Sequence, residues 1–119
     1  MSESKGSLNE ALAMFYGTES YTRHGLTKAL MTEGICHMKD AYGLNWLIDA
    51  IALHSIRLKH EPFIVWKLTR EGEDSSFNLV ATDGNNRQIY KSFIAYSDCD
   101  YDTVEVWAVD LVLLLPSEY

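Results

Sequence analysis

A chain of 119 residues and 13.5 kDa has room for one domain with a modest core and not for two. Its 47 % hydrophobic and 23 % charged residues exclude the composition of a disordered chain, and two cysteines, Cys36 and Cys99, are too few for a disulfide scaffold. The formal net charge of −7 is unevenly placed: Met1 to Arg70 balance to +1, whereas Glu71 to Tyr119 carry ten acids against Arg87 and Lys91, a balance of −8 that repels phosphate backbones.

Ser7-Leu-Asn-Glu10 has capping-box spacing ahead of Ala11, Leu12, Met14 and Phe15, which predicts a short first helix. Tyr16 to Gly25 has no clean period and reads as an irregular loop, and Leu26 to Met31 fits either a short helix or a short strand. Gly34 to Tyr42 is weakly helical, with Ile35, Met38 and Tyr42 on one side. Leu44 to Arg57 is the strongest helix; its apolar residues leave almost no polar face, so it is expected to be buried centrally.

Pro62 ends the helical region, and the period changes from about 3.6 to 2. Phe63 to Arg70 is a strand with Ile64, Trp66 and Leu68 on one face, and Phe77 to Thr82 is a second with Phe77, Leu79 and Ala81 alternating. Asp83-Gly-Asn-Asn86 signals a hairpin, because these residues tolerate positive φ, and Arg87 to Ala95 is the return strand. Val104 to Val109 is a fourth strand, and Leu111 to Leu115 is a fifth strand or a buried extended tail. The whole predicts an α+β fold over residues 1–119, with N-terminal helices packed on one face of a four- to five-stranded antiparallel sheet. Residues 1–6 are expected to fray.

Four stretches, Phe15-Tyr-Gly-Thr-Glu-Ser-Tyr-Thr-Arg-His24, Ala41 to Ala52, Val65-Trp-Lys-Leu68 and Leu113-Leu-Leu-Pro-Ser-Glu-Tyr119, resemble a family of small bacterial proteins known only as a domain of unknown function. Members look like cargo of plasmids, phages and other mobile elements. The resemblance implies no catalytic residue, cofactor or substrate; it does imply a protein that acts on host machinery, such as a small acidic anti-defence inhibitor.

Asp49 lies in the most apolar stretch, so its carboxylate is expected to be substantially buried and partnered by Arg23, His24 or backbone N–H groups of the preceding loop. His24, His37, His54 and His60 show no HExxH or finger spacing, so neither a metal site nor a cofactor is expected. Asp98-Cys-Asp-Tyr-Asp102 opens like a calcium loop, but Thr103 and Val109 stand where such a loop needs Gly and Glu. Cys99 beside these acids makes a poor thiolate. Ser20 or Tyr21 with His24 and Asp49 is the best nucleophile grouping the chain offers, and it lacks a nucleophile elbow.

Two functional readings follow. The first is a non-enzymatic module that binds a basic host protein through Tyr96, Asp98, Asp100, Tyr101, Asp102 and Glu105, possessing no catalytic residue and contacting neither nucleic acid nor membrane directly. The second is a small enzyme or ligand-binding domain centred on Tyr16, Glu19, Tyr21, Arg23, His24 and Asp49. No signal-peptide core follows the polar start and no apolar run reaches the roughly 20 residues that cross a bilayer, which predicts a cytoplasmic protein.

Overall fold

The computed structural model describes residues 6–16, 20–25, 27–72, 75–97 and 99–119. Most of the expected frayed tail, Met1 to Lys5, lies outside the described residues. The elements are α1 (Leu8–Ala11), β1 (Thr22–Arg23), β2 (Leu30–Met31), α2 (Glu33–Ala41), α3 (Asn45–Arg57), β3 (Phe63–Arg70), β4 (Phe77–Thr82), β5 (Gln88–Ile94), β6 (Thr103–Val109), β7 (Val112–Leu114) and a closing 3-10 turn (Pro116–Glu118). The fold is α+β. Among the described residues no helix is long and apolar enough to cross a membrane.

The sheet departs from the expected four or five antiparallel strands. It has seven, ordered β1-β2-β7-β6-β3-β4-β5, and it is mixed, because β2 runs parallel to β7. The two additional strands are two residues long and sit in segments read as an irregular loop and as an ambiguous helix or strand. A period cannot show in two residues, so these strands exist only because longer neighbours supply their hydrogen bonds. Thr32 N–H donates to the Leu113 carbonyl over 3.1 Å, and Leu30 N–H to Leu111 over 3.0 Å.

One face of the sheet forms the core. Register aligns Val106, Trp66, Ala81 and Tyr90 in one row and Val104, Leu68, Leu79 and Ser92 in the next. Trp66 donates its indole N–H to Ser55 Oγ on α3 over 2.9 Å, which removes the cost of burying both polar atoms. The buried residues of α3 are Leu47, Ile48, Ile51, Ala52 and Ser55, a single stripe. The expectation of a helix buried all round is therefore corrected: Leu53 on its far side is 46 % exposed. A helix laid on one layer has only one side to bury.

Two polar devices close the ends. Asn9 of α1 donates its amide N–H to the Glu105 carbonyl over 2.7 Å and accepts the Glu105 N–H over 2.6 Å, so one side chain replaces a strand where β7 stops. Ser7 caps α1 by accepting from Asn9 N–H over 3.2 Å. At the opposite end of the chain, Glu118 lies on the N-terminus of α2. Its carboxylate accepts from Gly34 N–H at 3.1 Å, from Leu115 N–H at 2.9 Å and from the Thr32 hydroxyl at 2.5 Å, where the helix dipole also favours negative charge.

A Cβ on Gly34 would stand 2.5 Å from Leu115 Cδ1 and 2.8 Å from Glu118 Oε1. Gly→Ala inside a helix ordinarily gains about 1 kcal/mol, but Gly34→Ala is expected to cost about 1–3 kcal/mol, because the tail must move off α2. The urea midpoint measures the sign.

A second expectation concerns His54, whose ring lies 3.1 Å from the Tyr90 hydroxyl and packs on Trp66. Burial, helped by Arg57, lowers its pKa from the ordinary 6.5. The unfolded chain then takes the proton first as pH falls, so the His54 contribution is complete above about 6.5 and is lost as pH drops through the depressed folded value. Urea titrations between about pH 8 and pH 5 should show a steeper loss for wild type than for His54→Gln.

Candidate functional site

The segment Tyr16 to His24 and helix α3 meet at one polar contact. His24 follows β1, and its backbone N–H donates to Ala29 over 2.8 Å, closing the β1–β2 hairpin. The ring is only 3 % exposed, with Nε2 2.6 Å from Asp49 Oδ1 and Nδ1 3.0 Å from Thr27 Oγ1. Thr27 Oγ1 in turn accepts the Ala29 N–H over 3.2 Å.

Asp49 thus has one of its three expected partners, His24. The expected burial falls on the other member: the Asp49 side chain is 50 % exposed. Asp49 lies between the buried positions Ile48 and Ile51 on the helix and turns its carboxylate to the rim, where water offsets its desolvation. Tyr16, Tyr21 and Arg23 are exposed, and none of them bonds to Asp49. Glu19 lies outside the described residues.

Chemically the arrangement is a hydroxyl–imidazole–carboxylate chain, the order found in nucleophilic triads. Its orientation is inverted. The carboxylate is the solvent-facing member, while the imidazole is buried with contacts at both nitrogens. Such a chain holds a loop on a helix. Among the described residues no group of three or more His, Cys, Asp or Glu side chains could hold a metal ion.

The acidic segment lies elsewhere, at the end of β3. Arg70 donates Nε to Asp102 over 2.9 Å and Nη2 to the Cys99 carbonyl over 2.9 Å, while its guanidinium stacks 4.7 Å above the Phe77 ring. This arginine fixes the loop before β6. Beside it an open depression of about 180 Å3 is lined by Ala41, Tyr42, Leu44, Cys99, Asp100 and Tyr101. Tyr42 and Tyr101 meet edge to face at 5.8 Å, and the ring series continues through His37 to Phe15.

The structure therefore brings Asp100, Tyr101 and Asp102 together and adds Tyr42. Asp102 is engaged with Arg70, and Tyr96 stands 72 % exposed. Glu105 lies on the other face of the sheet, where it accepts the Trp107 indole N–H over 2.6 Å. Asp98 lies outside the described residues. Sequence reading placed Tyr42 on the buried side of its helix, whereas it ends α2 exposed toward Tyr101. Residues 59 positions apart in sequence carry no signal of such a meeting.

Fold and site define a small α+β protein with a helix-covered mixed sheet, a His–Asp latch and an aromatic, acid-edged depression. The chain belongs to a family of unknown function, DUF6876, whose family model matches residues 6–119. No curated protein and no solved structure matches it.

The division of burial within the latch has a measurable consequence. His24→Ala removes a buried ring with partners at both nitrogens and is expected to cost about 2–4 kcal/mol, whereas Asp49→Ala, at a half-exposed carboxylate, is expected to cost about 0.5–1.5 kcal/mol. Chemical denaturation of the two variants compares these directly.

Proposed function

We propose that this protein is a non-enzymatic protein-binding module that receives a lysine or arginine side chain of a basic partner in the depression between α2 and the 99–102 loop. The observation that carries the reading is the depression itself: about 180 Å3, with two tyrosine rings and the exposed Asp100 at its edge. That volume is below the roughly 300–1,000 Å3 of small-molecule sites and suits one side chain. A tyrosine face attracts a cation by about 0.5–2 kcal/mol, and the carboxylate adds a charge-assisted hydrogen bond.

The net charge of −7 would speed encounter with such a partner at low salt. The resemblance to mobile-element cargo extends the reading to an inhibitor of a host nucleic-acid-binding or defence protein, presenting carboxylates where phosphates sit. Cytoplasmic action belongs to the same proposal. A second reading, a small enzyme or ligand-binding domain at the Tyr16 to His24 loop and Asp49, draws on the Thr27–His24–Asp49 chain.

Affinity capture from native host cells followed by binding kinetics separates the two. Asp102 is a poor test position, because its loss would also release Arg70. Asp100→Lys should slow association at least about tenfold at low salt and flatten its salt dependence, with Asp49→Asn unchanged. Loss with Asp49→Asn and retention with Asp100→Lys would transfer the site to the latch.

A further inference from the structure

The sheet has a second face. Residues that alternate with the core positions point outward there: Phe63, Val65 and Lys67 on β3, Val80 on β4, Lys91 and Phe93 on β5, Glu105 and Trp107 on β6. Phe63 and Trp107 pack with Tyr119 at one corner, at ring distances of 5.2 to 5.6 Å. Val65 and Val80 are half-buried in the middle, and Phe93 is 61 % exposed at the opposite corner. Apolar side chains left on an outward sheet face, with charges set between them, are the composition of an interaction surface.

Its charge differs from that of the rest of the molecule. The outward positions of β6, β3, β4 and β5 carry Lys67, Lys91 and Glu105, a balance of +1 on a chain of −7. Two copies approaching through most other surfaces repel; through this one they do not.

The order of those charges is self-complementary. Register sets Glu105, Lys67, Val80 and Lys91 side by side in one row across β6, β3, β4 and β5. A twofold axis parallel to the strands, between β3 and β4, exchanges β6 with β5 and β3 with β4. It lays Glu105 against Lys91 of the second copy, twice by symmetry, and Lys67 over Val80 of the second copy, where the lysine stem can cover the valine. The same operation sets Val65 over Thr82 and Thr103 over Phe93.

We propose that this face is the interface of a homodimer, two sheets packed face to face about 10 Å apart. The four strands that overlap, at about 4.8 Å spacing and with about six residues at 3.3 Å each, give a flat area near 400 Å2 per copy, so the pair buries about 800 Å2, the size of a weak, transient contact held by its paired charges. The dimer is accordingly reversible. It leaves the Tyr42–Tyr101 depression, on the helical side, open in both copies, and it does not depend on the function of that depression.

Sedimentation equilibrium of the full chain between about 1 and 500 µM tests the proposal by mass action. The expected result is a concentration-dependent rise from 13.5 kDa to twice that mass. Lys91→Glu and Val80→Asp should each hold the chain monomeric with an unchanged circular dichroism spectrum, and Lys91→Glu combined with Glu105→Lys should restore the dimer by exchanging the paired charges. A wild-type mass of 13.5 kDa throughout the range overturns the proposal. So does a dimer that survives both single variants.

Discussion

The carboxylate of Glu118 on the N-terminus of α2 is the constraint on which the assembly of the two halves of the chain rests. Through it the last turn of the chain holds Thr32 and Gly34, and Gly34 lacks a Cβ because the Leu115 and Glu118 side chains occupy that space. With the tail held there, β7 lies between β6 and β2, and its carbonyls receive the Leu30 and Thr32 N–H groups. The parallel pairing of β2 with β7 follows from that geometry. So does the β1–β2 hairpin, which gives His24 its position above α3. Ser117 adds a further tie by donating to the Phe15 carbonyl over 2.6 Å. The Glu118 carboxylate thereby joins the β2–β7 ladder and the Ser117 bond in linking the C-terminal strands to the N-terminal hairpin and helices.

Much of the acidity of the second half serves structure. Asp83 accepts from Arg87 and from the N–H of Asn85, and the Arg87 hydrogen bond holds its carboxyl below the usual carboxylate range. Asp102 neutralises Arg70, Glu105 receives an indole N–H, Glu71 bonds Asn78, and Glu118 caps a helix. A sequence balance of −8 therefore overstates how much acid is concentrated on a single recognition surface. Asp100 lines the exposed rim of the depression together with Tyr42 and Tyr101. The helical side and the outer sheet face are consequently different surfaces chemically: one acidic and tyrosine-bearing, the other apolar and near neutral.

Some of this was legible in the residues alone. β3 and β4 have the expected ends because alternation over six or eight residues leaves one register that buries every large side chain, and Pro62 marks where helix gives way to strand. α3 was legible by composition, although its apolar content concealed the exposed side that carries Asp49 and Leu53. The turn between β6 and β7 shows the limit: Asp110 and Leu111 both take positive φ, 49° and 66°, and a leucine gives no sign of it. That turn removes Leu111 from the apolar run and starts β7 at Val112.

Local sequence determined what local physics can decide: the α+β class, the period switch at Pro62, the inward faces of β3, β4 and β6, and the existence of a polar partner for Asp49. Each depends on spacing within a few residues, where helix and strand periods act. Tertiary structure alone decided the rest: the parallel β2–β7 pair, Asn9 in place of a strand, the Glu118 cap, the meeting of Tyr42 with Tyr101, and which member of the His24–Asp49 pair is buried. These join groups separated by tens of residues. Their free energy comes from hydrogen bonds and burial that exist only after the chain has closed, so no local period carries a trace of them.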